Sequence, residues 1–321
     1  ERGGNPGLVT VSAFGGAGLG VNAIARIGRA FVRACGCQGL VTAWQAHNLM
    51  ADWIFGHFAN AAQRAEWLPR IARGEASAAF AVSEPGAGAH PKRLAATATW
   101  SAERNGFFLN GQKAYVTNGP IASVFAIVAI VDADAKGRKR FGAFLTPVGS
   151  EGLSVTTSEH VDFLKPSGHA SLAMKDVFVP ALARLSEAED VYPVMVKPLR
   201  DHEDAAGAWT RLGAYERLAA ALAATPEMAG RAGGVAARLR AVALTLETDA
   251  TPEGLLAARA ILDDVAREVA LGVSEAAAVG PAVFGEAETA LARDLAKLGG
   301  VARYAVEARF AALGRSLANC A

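Results

Sequence analysis

The chain has 321 residues, of which 52% are apolar and 20% charged, and its 32 lysines and arginines nearly balance 31 aspartates and glutamates. This composition excludes a disordered segment, and the absence of any basic block interleaved with aromatics excludes nucleic-acid binding. The length predicts two or more subdomains around substantial cores. Cys35, Cys37 and Cys320 fit no paired spacing for a metal or a redox couple, and they read as inert thiols in a reducing cytoplasm. No metal site is expected. No basic segment leads into an apolar core and cleavage site, and no apolar run reaches the ~20 residues of a membrane span, so a soluble, cytoplasmic protein is expected.

In chain order, the run Phe14-Gly15-Gly16-Ala17-Gly18-Leu19 comes first. It lacks the Gly-x-Gly-x-x-Gly spacing and the preceding strand of a nucleotide loop. Apolar residues at helical spacing predict a helix over Val21 to Arg33 and another from about Leu40 to Phe58. His47 and His57, on the second, are ten residues apart with no carboxylate partner at helical spacing, and they read as packing or surface residues. From Ala78 the pattern changes. Phe80 and Val82 suit a buried strand stopped by Glu84-Pro85-Gly86, and Gly86 and Gly88 leave room for a flat ligand. Asn110-Gly111 predicts a hairpin turn. Lys113 to Thr117 then reads as its return strand, with Ala114 and Val116 on one face and Tyr115 and Thr117 on the other. Strand-like runs at Val124 to Val131, Phe141 to Pro147 and Leu153 to Thr156 predict a small antiparallel barrel or sandwich. Beyond Ala205 alanine, leucine, arginine and glutamate dominate with long helical periods. Three to five antiparallel helices are expected there, with breaks near Thr225-Pro226, Gly233-Gly234, Thr251-Pro252 and Gly280-Pro281.

Two tracts carry a family resemblance. Phe80-Ala81-Val82-Ser83-Glu84-Pro85-Gly86-Ala87-Gly88 and Asn110-Gly111-Gln112-Lys113-Ala114-Tyr115-Val116-Thr117-Asn118 resemble, at the right separation, the middle β-domain of the acyl-CoA dehydrogenases. Gln63-Arg64-Ala65-Glu66-Trp67-Leu68-Pro69-Arg70-Ile71 resembles the helix leading into that domain, and Asp176-Val177-Phe178-Val179-Pro180 its closing strand. The resemblance implies an α+β chain of three parts: a shortened N-terminal helical domain over 1–75, a middle β-domain over 76–180 and a C-terminal helical bundle over 181–321. It implies a flavoenzyme that dehydrogenates an acyl-CoA or other acyl thioester between its α and β carbons. Electrons would pass to an electron-transfer flavoprotein, and the subunits would form a homo- or hetero-oligomer.

The matching positions imply FAD contacts at Phe80, Val82, Ser83, Tyr115 and Thr117, where Tyr115 replaces a tryptophan as aromatic wall. The family's Tyr-Glu-Gly-Thr base segment is absent. Leu212-Gly213-Ala214-Tyr215-Glu216-Arg217-Leu218 instead resembles the site of the isovaleryl and long-chain members, which makes Glu216 the candidate base, with a pKa raised by an apolar acyl pocket. Other departures stand out. Ala89-His90 replaces Ser-Asp, and Lys165, Pro166 and His169 replace an arginine, a small residue and a threonine. The flavin-binding Arg-x-x-Phe-Gly and Gln-x-x-Gly-Gly motifs are missing, while Arg293-Asp294 survives. These gaps leave two alternatives open: a non-catalytic partner subunit of a heteromeric dehydrogenase, and a flavin monooxygenase on the same fold.

Overall fold

The computed structural model describes residues 7–10, 12–158, 161–249, 251–279, 284–299, 307 and 309–312. Its helices are α1 (Val21–Cys35), α2 (Gln38–Met50), α3 (Ala61–Ala72), α4 (Lys197–Ala223), α5 (Ala229–Thr248), α6 (Pro252–Val279) and α7 (Glu286–Gly299). Its strands are β1 (Ala78–Ala81), β2 (Thr97–Ser101), β3 (Gly106–Thr117), β4 (Val124–Ala133), β5 (Lys139–Pro147), β6 (Leu153–Thr157), β7 (His169–Pro180) and β8 (Arg184–Leu185). The contacts divide into two units, Glu1–Ile24 with Thr42–His202, and Ala25–Val41 with Glu203–Ala321.

In the first unit the eight strands form one sheet in the order β6-β7-β3-β2-β4-β5-β8, with β1 pairing β4 off that path. β4 shows why the sheet folds over. Its run Val124 to Val131 is apolar at every position, which suits a strand covered on both faces. Val124, Ala126 and Val128 join a core with Ile54, Phe55, Trp67 and Ile71 from the helical layer. Phe125, Ile127 and Ala129 join a second core with Leu109, Leu172, Val177 and Val179 from β3 and β7. The expected antiparallel strands are there, but β1 and β2 each pair with β4 in parallel. α3 begins at a reciprocal cap: the Asn60 side chain accepts from Gln63 N, and the Gln63 side chain accepts from Asn60 N. The helix predicted to reach Phe58 stops as α at Met50 and continues as a π-helix over Ala51–Phe58, where Trp53 Nε1 donates to Met195 O at 3.0 Å.

Asn110-Gly111 does not form the predicted turn. β3 runs through it, with a register shift against β7 between Leu109 and Gly111. The Asn110 side chain is engaged sideways, donating to Asp176 Oδ1 at 3.0 Å and accepting from Asp176 N at 2.9 Å. Gly111 sits at φ 127°, where an added Cβ would lie 2.8 Å from Ala96 Cα. The hairpin closes instead at the preceding Asn-Gly pair. Ser101 pairs with Gly106, and Asn105 takes the left-handed φ of 48°. Both dipeptides satisfy the same turn rule, so the pairing partners of the flanking strands decide between them.

The second unit packs α4 to α7 and the Ala25–Cys35 part of α1 around Val32, Leu212, Leu218, Val235, Leu239, Leu262, Val265 and Leu291. Gly213 permits a close approach of α1 to α4: a Cβ there would lie 2.3 Å from Arg29 O. Breaks fall as expected around Thr225-Pro226 and before Pro252. Gly233-Gly234 is no break. α5 continues through it because Val235, Leu239, Val242 and Leu246, all buried, recur at helical spacing and offset the ~1 kcal/mol that each mid-helix glycine costs. The break expected at Gly280-Pro281 lies outside the described residues.

Candidate functional site

The end of β1 is tied to the middle of β3 by a buried ion pair. Lys113 is fully buried, and its Nζ donates to Val82 O at 3.0 Å and to Glu84 Oε1 at 2.8 Å. Glu84 also accepts from the backbone N–H of Ala95 at 2.7 Å and of Ala96 at 3.0 Å. Burial alone would raise the Glu84 carboxyl, but the Lys113 ammonium and the two amides outweigh it and hold it below its ordinary range. Burial pushes the Lys113 ammonium down, against the pull of Glu84. One further bond, from Ala114 N to Ser83 O at 2.8 Å, completes the clamp. Sequence reading placed Lys113 only as a strand residue. Its alternation with Ala114 did not mark it as a core cation.

This clamp sets the two predicted flavin-contact runs side by side. Phe80 and Ser83 are half-buried and Val82 is buried. Tyr115 stands 60% exposed at φ 59°, and Thr117 is half-buried. The predicted alternation holds only from Ala114: Ala114 and Val116 are buried and Tyr115 is not, but Lys113 before them is buried too, and the pairing with β7 shifts between Lys113 and Val116. Glu84 N and Gly88 O, and Gly88 N and Glu84 O, bond at 3.0 Å, closing the Glu84–Gly88 turn. Gly86 and Gly88 there have positive φ and nothing within 4 Å of a would-be Cβ. His90 is an exposed residue of the next loop.

Thr117 lies directly opposite His169 on β7, so the two side chains share one face of the sheet. Burial, and after it the charge of Lys165, pushes the His169 imidazole down and keeps it neutral near pH 7. Its Nδ1 has no hydrogen-bond partner among the described residues. The same is true of two neighbours. Asn118 donates from N to Gly168 O and from Nδ2 to Ala43 O, both at 2.8 Å, yet its Oδ1 is unpartnered, as is the Oγ of buried Ser167. Buried polar atoms without partners are rare and point to a missing water or ligand. An exposed aromatic wall, the hydroxyls of Ser83 and Thr117, and unspent polar atoms beside them fit the ring of a flavin.

Glu216 lies in the second unit on α4, and its surroundings differ from the apolar wall expected of it. Arg29 on α1 forks onto both carboxylate oxygens, Nη2 to Oε1 at 2.5 Å and Nε to Oε2 at 3.1 Å, with Arg33 Nη1 at 4.0 Å. Arg29 and Arg33 are one helical turn apart and so share a face of α1. Gly213 admits that helix to α4. Arg217 is spent on structure: it caps Arg33 O and Ala34 O at the end of α1 and pairs with Glu288 Oε1 at 2.6 Å. Arg293 and Asp294 approach to 3.4 Å.

The chain matches the family models described as acyl-CoA dehydrogenase, N-terminal domain, over residues 3–75, and acyl-CoA dehydrogenase, middle domain, over residues 79–177. It is 33% identical over 199 residues to isovaleryl-CoA dehydrogenase, mitochondrial, of Pongo abelii, covering 60% of this chain and 46% of that protein. It is 26% identical over 193 residues to the short-chain-specific acyl-CoA dehydrogenase of Clostridium acetobutylicum, covering 60% of this chain and 50% of that protein. The chain thus spans about half the length of these curated relatives. A solved structure described as an FAD-dependent dehydrogenase superposes with a TM-score of 0.81 at 20% identity, over 95% of this chain and 88% of that one, which establishes the likeness of fold.

Proposed function

Since the chain belongs to the acyl-CoA dehydrogenase family, we propose that it is a flavin-dependent oxidoreductase acting on the CH–CH bond of an acyl-CoA or related acyl thioester. The observation that carries this reading is the clamp of β1 onto β3, which sets Ser83 beside the strand of Tyr115 and Thr117, flanked by the unpartnered atoms of Asn118, Ser167 and His169. FAD is the cofactor of this reading, with Phe80, Val82, Ser83, Tyr115 and Thr117 to hold its ring. Bound there, the flavin would supply the two-electron acceptor. The Tyr115 ring offers the wall for stacking, and Ser83 and Thr117 offer hydroxyls for the ring's polar edge.

Glu216 is the base of this reading, taking the α-proton of the thioester. Both of its oxygens are bound by Arg29. Proton abstraction therefore requires the fork to open on at least one oxygen when substrate enters. An electron-transfer flavoprotein as electron acceptor, assembly into an oligomer and the layout 1–75, 76–180 and 181–321 belong to the same proposal. Among the described residues no helix is long and apolar enough to cross a membrane.

The occupied carboxylate, with the two missing flavin motifs, also supports a second reading, a non-catalytic subunit paired with a competent homologue. The absorption spectrum of the purified protein with FAD separates the two. Flavin bands at near one per chain that bleach with acyl-CoA, and bleaching lost in Glu216→Gln with the bands retained, are expected for the enzyme. A protein that stays colourless with added FAD overturns that reading. Tyr115→Ala, at an exposed position, is expected to weaken FAD about tenfold and leave thermal stability unchanged.

A further inference from the structure

In the second unit, α4 and α6 carry a polar cluster that opens to solvent at Asp263, whose side chain is 37% exposed. Arg211 and Tyr215 are one turn apart on α4, and Arg259 and Asp263 are one turn apart on α6. Arg211 is 8% exposed and Tyr215 is 4% exposed. The two guanidinium groups share Asp263: Arg211 Nη1 lies 3.6 Å from Oδ1, and Arg259 Nε lies 3.7 Å from Oδ2. Both separations are too long for hydrogen bonds. Arg259 Nε has no hydrogen-bond partner among the described residues. The other acidic side chain of this neighbourhood, Asp204, is bound by Arg309 at 2.6 Å.

Such an arrangement is out of balance in two ways. Among the described residues two guanidinium groups share the one carboxylate of Asp263 in ion pairs, and burying an uncompensated charge costs several kcal/mol even after relaxation. A guanidinium is also a planar fork of donors, and here the buried Arg259 Nε meets no acceptor among the described residues. Burial, and then the charge of Arg259, pushes Arg211 down from its ordinary value, which reports the same tension. Burial pushes the Tyr215 hydroxyl up to about 12, so it too stays a proton donor at neutral pH. Water could satisfy the donors, but only an anion also balances the charge. We propose that Arg211, Arg259 and Tyr215 form a binding site for a small oxyanion, a phosphate or a carboxylate, held on the α4–α6 face with Asp263 bracketing the two guanidinium groups. The planar fork suits both anions, since each offers two oxygens to one guanidinium. The site stands apart from the flavin reading, sharing no residue with it.

The test is a calorimetric titration of the whole chain, at constant ionic strength, with inorganic phosphate in one arm and glutarate in the other. Saturable binding of one probe at one site per chain is expected, and the arm that saturates identifies the anion. Arg259→Met is expected to weaken it about 10- to 100-fold, the scale of one lost charge-assisted hydrogen bond. Arg267→Met, at an exposed ion pair on the same helix, is expected to leave it unchanged. Tyr215→Phe keeps the ring's packing and is expected to weaken binding about fivefold, a second and independent reading of the same site. No saturable binding of either probe overturns the proposal. So does binding that persists undiminished in both Arg259→Met and Tyr215→Phe.

Discussion

Lys113 in the first unit and Arg211 in the second are both cations removed from water, and their surroundings differ in kind. Lys113 meets a carboxylate at 2.8 Å and a carbonyl at 3.0 Å, and its partner Glu84 is itself bound by two amides. Arg211 approaches its carboxylate only to 3.6 Å and shares it with a second arginine. A satisfied buried pair fixes geometry, here the placement of Ser83 against Ala114. A buried cluster with unspent donors leaves capacity for something else. The contrast separates scaffold from candidate site without reference to any relative.

The comparison breaks most visibly at Glu84. Glu84→Ala leaves the Lys113 ammonium buried without a counter-charge and is expected to cost about 3–5 kcal/mol, read as a lowered midpoint of urea unfolding. Adding Lys113→Met restores much of that loss, because the uncompensated charge is then gone as well. At the Arg211 cluster the effect of removing a cation has the opposite sign. Arg259→Met in buffer free of oxyanions is expected to hold or raise stability, since it leaves one cation facing Asp263.

Acid provides a finer probe of the satisfied pair. The folded-state pKa of Glu84 lies below its usual 4.5. Its contribution to stability is therefore complete above that value and is lost as pH falls through the lowered one. A fall in the urea midpoint below pH ~4.5, absent in Glu84→Gln, is the expected result. The smallest effect belongs to an unspent atom. Ser167→Ala deletes a buried hydroxyl that has no partner among the described residues, so it is expected to be neutral or stabilising by up to about 1 kcal/mol. A clear loss of stability on that change would show that the hydroxyl is in fact satisfied.

Much of the fold was legible because its signals are local or periodic. The two-sided apolar run of β4, the alternation around Tyr115 and the Pro-marked start of α6 each carry their own cause. What escaped depends on partners distant in sequence. Asn105-Gly106 and Asn110-Gly111 are equivalent as dipeptides, and only the ladder with β2 and β7 assigns the turn to one and a bulge to the other. The burial of Lys113 depends on Glu84, and the occupied state of Glu216 depends on Arg29, 187 residues away. The positions that match the family's flavin contacts were readable in order. The unpartnered neighbours at Asn118, Ser167 and His169 could only be found once strands β3 and β7 were paired.

The irregularity in β3 has a wider consequence. A strand keeps a strict two-residue phase, so one inserted or deleted residue exchanges its inner and outer faces from that point on. The shift against β7 between Lys113 and Val116 makes such an exchange near the end of the twelve-residue strand. Phe107, Leu109 and Lys113 are buried at odd positions and Ala114 and Val116 at even ones, while Tyr115, at φ 59° within the shift, stands exposed. The strand thus behaves as two segments joined by a phase adjuster, one answering to packing and the other to chemistry. Deleting Tyr115 would place Val116 two residues beyond Lys113, on its face, and merge the two segments into a single phase.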